Sequence, residues 1–118
     1  MAGNSIHNQM NDIDFLRALI RAKSNVRRQM LKQATSSNLG LLLECVKNIL
    51  VGNIPISDKK KKQLTKHKYK LRFLASRQYN LKKKLRVLNQ TGGSLPAILS
   101  VLTPTIVTAI AELIRGKG

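Results

Sequence analysis

The stretch NLGLLLECVKNILV, residues 38–51, decides the fold class of this chain. Its apolar residues recur at the spacing of an α-helix and cover most of its faces, which is typical of a helix at the centre of a core. They are Leu39, Leu42, Leu43, Val46, Ile49 and Leu50. We expect Cys45, in the same run, to be a buried structural thiol, because no activating base adjoins it.

Two shorter helical patterns precede this central helix. The first begins at Asn11 or Asp12, either of which can cap it, and continues through apolar residues at helical spacing, Phe15, Leu16, Leu19 and Ile20. Ser24 can cap the second helix, over residues 25–34. Residues 1–11 are polar and rich in Asn, so we expect a flexible N-terminal tail there.

Two further helices are predicted after the central one. Gly52-Asn53 stops the central helix, and Pro55 enforces an extended connection. Ser57 and Asp58 open a fourth helix over 58–76, and a short fifth helix carries Leu81, Leu85 and Leu88 on one face. Because no alternating strand pattern is long enough to form a sheet, we expect an all-α fold: a small helical bundle of about five short helices over residues 12–90.

The last part of the sequence is apolar. Residues 94–111 contain no charged side chain, and Pro96 and Pro104 interrupt them. Such a run has no polar face to cover it in water, so we expect residues 91–118 to form a Gly-Gly junction and a separate apolar C-terminal segment. Removal of 94–118 should then leave the helical bundle folded.

The charge of the chain is strongly positive and unevenly distributed. Lys and Arg number 22 against five Asp and Glu, a formal net charge of +17. Residues 59–86 hold thirteen of the basic residues and none of the acidic ones. Polyanions are the usual partners that relieve so much self-repulsion. The candidate nucleic-acid-binding residues are therefore Lys59, Lys60, Lys61, Lys62, Lys66, Lys68, Lys70, Arg72, Arg77, Lys82, Lys83, Lys84 and Arg86.

Composition indicates how such a surface would bind. Aromatic residues make up only 3% of the chain and Trp is absent, so few side chains could stack on unpaired bases. Lys outnumbers Arg ten to three in 59–86, which favours mobile charges on phosphates over bidentate recognition of base edges. We therefore expect sequence-independent binding, most simply to double-stranded DNA. The alternatives are an ordinary solvated face and, for Lys59–Lys62 and Lys82–Lys84, nuclear-localisation signals.

Enzymatic chemistry finds little support in the sequence. His7, His67 and Cys45 do not have the spacing of metal ligands, and the five acidic residues are scattered. No Gly-rich loop precedes a Lys-Ser or Lys-Thr pair. We expect no catalytic residues, no metal site and no cofactor.

Several short motifs carry a resemblance to viral core proteins. Gly92-Gly93 ends the basic section, and Leu95-Pro96-Ala97-Ile98-Leu99 opens the apolar one. This junction resembles that of the adenovirus core protein X (mu) family, in which a basic DNA-condensing section ends at a Gly-Gly site cut by the viral cysteine protease. With the run Glu44–Leu50 and Gly52-Asn53-Ile54-Pro55, the pattern is similar to small core proteins of Maverick/Polinton and adintovirus-type elements.

The resemblance implies a virion core protein that binds and condenses DNA, located in the virion core and the host nucleus. It also implies proteolytic processing at Gly92, Gly93 and Ser94, between the last two of these residues. For the Gly pair, the alternative is a flexible helix terminator.

Two other functions stay open at the level of sequence. Residues 94–114 could contact a capsid protein or a membrane, which would make the chain a membrane-active minor virion protein. Its apolar C-terminal helix would then insert Ile106, Val107, Ile110, Leu113 and Ile114 at an interface. A host nucleolar or ribosome-binding basic protein would have the same composition.

Overall fold

The computed structural model describes residues 2–77, 80–90 and 94–117, and the side chains of 12–77, 80–90 and 94–114. This part of the chain forms helices and no strand, which confirms the predicted all-α class. Its eight helices are α1 (Ala2–Arg21), α2 (Ser24–Lys32), α3 (Ser36–Leu50), α4 (Asp58–Thr65), α5 (Lys68–Ala75), α6 (Leu81–Leu88), α7 (Leu95–Val101) and α8 (Pro104–Lys117).

Helix α3 is the central helix that its apolar pattern predicts. At its start, the Thr35 hydroxyl accepts a hydrogen bond from the Asn38 backbone N–H at 3.0 Å, and the Asn38 side chain accepts one from the Thr35 N–H at 3.0 Å. This reciprocal pair satisfies two N–H groups that a helix start leaves free. At its end, Gly52 adopts a φ of 80°, a conformation that glycine takes without steric cost. Helices α1, α5, α6 and α8 all pack on α3.

Helix α1 is longer than the sequence predicts. The predicted start at Asn11 or Asp12 is wrong, since the backbone is helical from Ala2, where a flexible tail over 1–11 was expected. No proline interrupts residues 2–11, so the helical backbone can continue through them. Asp12 is buried inside the helix and does not cap it.

The predicted fourth helix over 58–76 is two helices, α4 and α5, with a break at Lys66 and His67. Lys66 and Lys70 would lie four residues apart on a continuous helix and repel each other, and no acidic residue within 59–86 offsets them. The Thr65 hydroxyl also donates a hydrogen bond to the Lys61 carbonyl at 2.8 Å, a local bond that weakens helix continuation.

The expectation of a separate apolar C-terminal segment is wrong. Eight of the 22 buried apolar residues in the described chain come from this part: Leu95, Ile98, Leu99, Val101, Leu102, Val107, Ile110 and Ala111. Pro96 lies in the first turn of α7 and Pro104 is the first residue of α8, positions where proline favours a helix. The prolines therefore start two helices, and the charge-free run supplies the apolar faces that the other helices need.

The radius of gyration supports this packing. Its value is 13.6 Å, close to the ~13 Å expected of a single domain of about 100 residues. The extra break in 58–76 and the two C-terminal helices account for eight described helices where about five were expected.

Candidate nucleic-acid interface

Leucines on α4, α5 and α6 hold the basic helices on the core. Leu64, Leu71, Leu74 and Leu88 are buried, at one or two positions on each helix. Each of these helices is short, at eight residues, and would be marginal in isolation. Packing through the leucines therefore orders the lysines that alternate with them.

Polar caps set the starts of α4 and α6. The Ser57 hydroxyl accepts a hydrogen bond from the Lys60 N–H at 3.3 Å, as the sequence predicts for a helix opened by Ser57. The Asn80 side chain accepts from the Lys83 N–H at 3.0 Å, so Asn80 both separates α5 from α6 and caps α6. Lysines lie in the first turn after both caps, at helix ends that already carry positive partial charge. Positive potential is thus concentrated at the start of α6, whereas Asp58 in the first turn of α4 offsets part of it there.

Most of the predicted basic residues are exposed. Lys60 and Lys70 are half-buried, and Lys84 is buried. The other ten reach solvent: Lys59, Lys61, Lys62, Lys66, Lys68, Arg72, Arg77, Lys82, Lys83 and Arg86. The structure thus presents ten of the thirteen predicted side chains on three consecutive helices and their connections, and none of the five acidic residues lies within 59–86.

Lys84 does not belong to this exposed set. Its side chain is only 7% exposed, and its ammonium group donates a hydrogen bond to the Ser76 carbonyl oxygen. Burial lowers the pKa of Lys84, because loss of water disfavours the charged form. The helical spacing explains its position, since Lys84 lies four residues before the buried Leu88, on the same face of α6. That spacing was the sequence signal that could have identified it.

Hydrogen bonds between residues far apart in sequence join helices that carry none of the thirteen predicted basic residues. Asp12 accepts hydrogen bonds from the Ser37 hydroxyl and from the Asn38 side-chain amide, the latter at 2.7 Å, which joins α1 to α3. Arg17 donates to the Thr108 hydroxyl at 2.7 Å, which joins α1 to α8. Neither link has a local sequence signal, because its partners lie 25 or more residues apart.

The cysteine and the metal-ligand residue types offer no reactive centre in the described structure. Cys45 is buried, as predicted, and burial together with nearby Glu44 raises the pKa of its thiol to about 12. A thiol with that pKa stays protonated and unreactive near neutral pH. Across the described ranges, no three His, Cys, Asp or Glu side chains come together to hold a metal ion.

The proposed processing site lies mostly outside the described residues. Gly92 and Gly93 are among those the structure does not describe. Ser94, on the other side of the bond, is fully buried, and its hydroxyl has no hydrogen-bond partner within the described chain. A protease would therefore reach the Gly93–Ser94 bond only after Ser94 leaves the core.

An apolar groove lies beside the basic helices and was not predicted. It occupies about 660 Å³ between the end of α3, the connection through Pro55, and helices α4 and α5. Its lining is mainly aliphatic, with Lys61 and Lys68 among the residues that form it. The groove arises where α3 and α4 stand apart, a property of tertiary packing that sequence spacing does not encode.

In residues 2–77, 80–90 and 94–117, no single helix is long and apolar enough to cross a membrane. Helices α7 and α8 reach the required length and composition only together, over Leu95–Val101 and Pro104–Ile114, with an 87° bend between them.

No family model, curated protein or solved structure matches this chain.

Proposed function

We propose that this protein binds double-stranded nucleic acid by neutralising backbone phosphates. The observation that carries the proposal is the set of ten exposed Lys and Arg side chains on α4, α5, α6 and their connections. These helices are held on a common core, so the cations are ordered relative to one another and do not sit on an unstructured tail. No acidic residue interrupts them along the sequence, so this segment offers only positive charge to a phosphate backbone.

The proposed binding mode is independent of base sequence. Seven of the ten exposed cations are lysines, which contact phosphates as point charges. Binding would release counterions condensed on the duplex, and this release makes the affinity fall steeply with salt. Phosphate contacts of this kind position a protein on the duplex without reading its sequence.

In its finer form, the proposal is a DNA-condensing core protein of a virus or virus-derived element, acting in the virion core and the host nucleus. The resemblance of the Gly92-Gly93 junction and the run Glu44–Leu50 to viral core proteins supports this role. A net charge of +17 in 118 residues also suits a protein that must neutralise densely packed DNA.

Insertion of the C-terminal helices into a membrane is not part of the proposal. It would require Val107, Ile110 and their neighbours to leave the core in which they are buried.

A salt series with matched variants tests phosphate binding. One variant replaces four exposed lysines of the basic region with Gln: Lys59, Lys62, Lys66 and Lys82. Its control removes the same charge from exposed cations elsewhere: Arg21, Lys23, Lys32 and Lys47. Fluorescence anisotropy on duplexes of different sequence measures the slope of log K against log salt. In the first variant, this slope should be shallower than in the wild type by about 0.9 for each phosphate that is no longer neutralised.

The control variant should retain most of the wild-type slope. Equal reductions in the two variants would show that only net charge matters and would refute a localised interface. Strong preference for one duplex sequence would refute backbone binding as the main mode. A preference for duplex RNA over DNA would favour the nucleolar or ribosomal alternative over the virion core. Light scattering with long DNA then tests condensation, which the first variant should weaken more than the control.

A further inference from the structure

We propose that the apolar groove between α3, α4 and α5 binds an acidic amphipathic helix of a partner protein. This binding site shares Lys61 and Lys68 with the proposed phosphate-binding surface, but its aliphatic lining is distinct from that surface and the inference does not depend on phosphate binding. The floor and walls of the groove are aliphatic, from Ile49, Leu50, Ile54, Ile56, Leu64 and Leu71. Contact with a charged phosphate backbone does not stabilise apolar surface, so nucleic acid is a poor occupant of the groove.

The groove exists because of how α3 ends. Gly52, in its left-handed conformation, turns the chain away from α3, and Pro55 keeps the following connection extended. Helix α4 then packs on α7. A space of about 660 Å³ is left beside the last turn of α3, within the size range of ligand-binding clefts.

Exposed apolar surface at this groove points to a partner. Leu50 lines it and is 38% exposed although it belongs to the central, strongly apolar helix α3. An apolar cleft that remains open to water usually marks an interaction site, because covering it is favourable.

Charge identifies the chemistry of the occupant. Lys61 and Lys68 line the groove beside its aliphatic residues, and Lys62 and Lys66 lie near them in sequence. A partner with apolar side chains flanked by Asp or Glu would match both features. An amphipathic helix offers that combination, with apolar residues at i, i+3, i+4 and i+7 and carboxylates on its flanks.

The open shape of the groove favours a helix over an acyl chain. A hydrocarbon chain laid in an open cleft would stay partly in contact with water along its length. A bound helix would place only its apolar face in the groove and keep its polar face in solvent. The proposed partner is therefore a peptide segment and not a lipid.

The probe is a synthetic fluorescent peptide helix with Leu at i, i+3, i+4 and i+7 and Glu on its flanks. Its control is a peptide of the same composition with the leucines spread over all faces. Anisotropy titrations on the full chain at about 0.15 M salt, where exposed charges are screened beyond ~8 Å, should show tighter binding of the amphipathic peptide by about tenfold or more.

Two pairs of variants locate the binding to the groove. Leu50→Ser should lower the affinity for the amphipathic peptide by about tenfold, because it removes an apolar side chain that the peptide would bury. Val51→Ser is the matched control, since Val51 is the next residue, is 62% exposed and does not line the groove. The double variant K61Q/K68Q should weaken binding and its salt dependence more than K62Q/K66Q, which changes neighbouring lysines outside the groove. Circular dichroism confirms that each variant is folded.

Four outcomes would overturn the proposal. Equal affinity of the two peptides would show that charge alone holds them. Equal weakening by L50S and V51S would place the peptide elsewhere. Displacement of the peptide by a fatty acid, or a self-association of the chain that L50S abolishes in sedimentation, would make the occupant a lipid or a second copy.

Discussion

Helices α1, α3 and α8 form one region of the molecule, with nearly balanced charge, and α4, α5 and α6 form another that is strongly basic. The first region contains four of the five acidic residues and hydrogen bonds that link its helices across long sequence distances. The second, with its connections, contains thirteen of the 22 basic residues and consists of eight-residue helices anchored by few leucines. This difference indicates that stability resides mainly in the first region, which supports a second region whose charges oppose folding.

Deletion of residues 94–118 is the most severe test of this division. The deletion removes α8 from the first region, together with eight buried apolar residues of α7, α8 and the connection between them. The buried surface removed in this way exceeds the margin by which domains of this size are stable. We expect the truncated chain to lose most of its helical circular dichroism and its cooperative unfolding transition.

Deletion of residues 115–118 is the control for that experiment. It removes the same two basic residues, Arg115 and Lys117, but none of the buried apolar residues of α7 and α8. We expect it to unfold close to the wild-type temperature. A folded 1–93 chain would show that α7 and α8 are dispensable and that α8 adds little to the stability of the first region.

A second prediction concerns the links within the first region. Asp12→Ala leaves the buried Asn38 amide without its acceptor, which should lower the free energy of unfolding by about 1–3 kcal/mol. Asp14→Ala is the control, because the Asp14 side chain is 76% exposed. This substitution should change the free energy of unfolding by no more than about 0.5 kcal/mol. Urea denaturation measures both. Similar effects of the two changes would argue against a stabilising link between α1 and α3.

Part of this architecture could be predicted from sequence because it depends on local spacing. The apolar period of 38–51 identified α3, and the leucines at 81, 85 and 88 identified α6. Ser57 was predicted to open a helix and caps α4. These signals act within one or two helical turns, so the residues that produce them are visible together in the sequence.

The rest depended on contacts between distant residues. An uncharged run such as 94–111 suits a buried helix pair as well as a free tail, and only the partner surfaces on α1, α3 and α4 decide between them. Proline inside an apolar run indicates an interruption, whereas Pro96 and Pro104 start helices here. Charge alone placed Lys84 among the phosphate-binding residues, although its spacing from Leu88 puts it on the buried face of α6.

A third prediction tests which side chains of the second region contact nucleic acid, by comparing two of its lysines. Lys82→Gln should reduce the slope of log K against log salt by up to about 0.9, because an exposed lysine can contact one phosphate. Lys84→Gln should leave the slope unchanged, because its ammonium group is held by the Ser76 carbonyl. Anisotropy with a single duplex is sufficient. A reduction of the slope by Lys84→Gln as large as that by Lys82→Gln would mean that Lys84 swings out to the nucleic acid.

The smallest expected effect is a pH dependence of stability that Lys84 alone contributes. Burial lowers its pKa in the folded state, whereas in the unfolded chain the pKa returns to about 10.4. Between these two values the unfolded state binds more protons than the folded state, so stability rises with pH in that window. The cost of burying the charged ammonium is therefore fully present below the folded pKa and disappears as pH approaches the unfolded value.

Lys84→Met tests this because methionine keeps an unbranched apolar side chain without the charge. The stability of the wild type relative to Lys84→Met, measured by urea denaturation from pH 7 to pH 10, should increase with pH. Lys82→Met removes one charge from an exposed site on the same helix, so any trend common to both variants reports overall charge repulsion. Any additional increase of stability with pH that appears only in the comparison with Lys84→Met reports the burial of the Lys84 ammonium. Identical trends would show that the Lys84 ammonium keeps its water and that α6 does not hold it against α5.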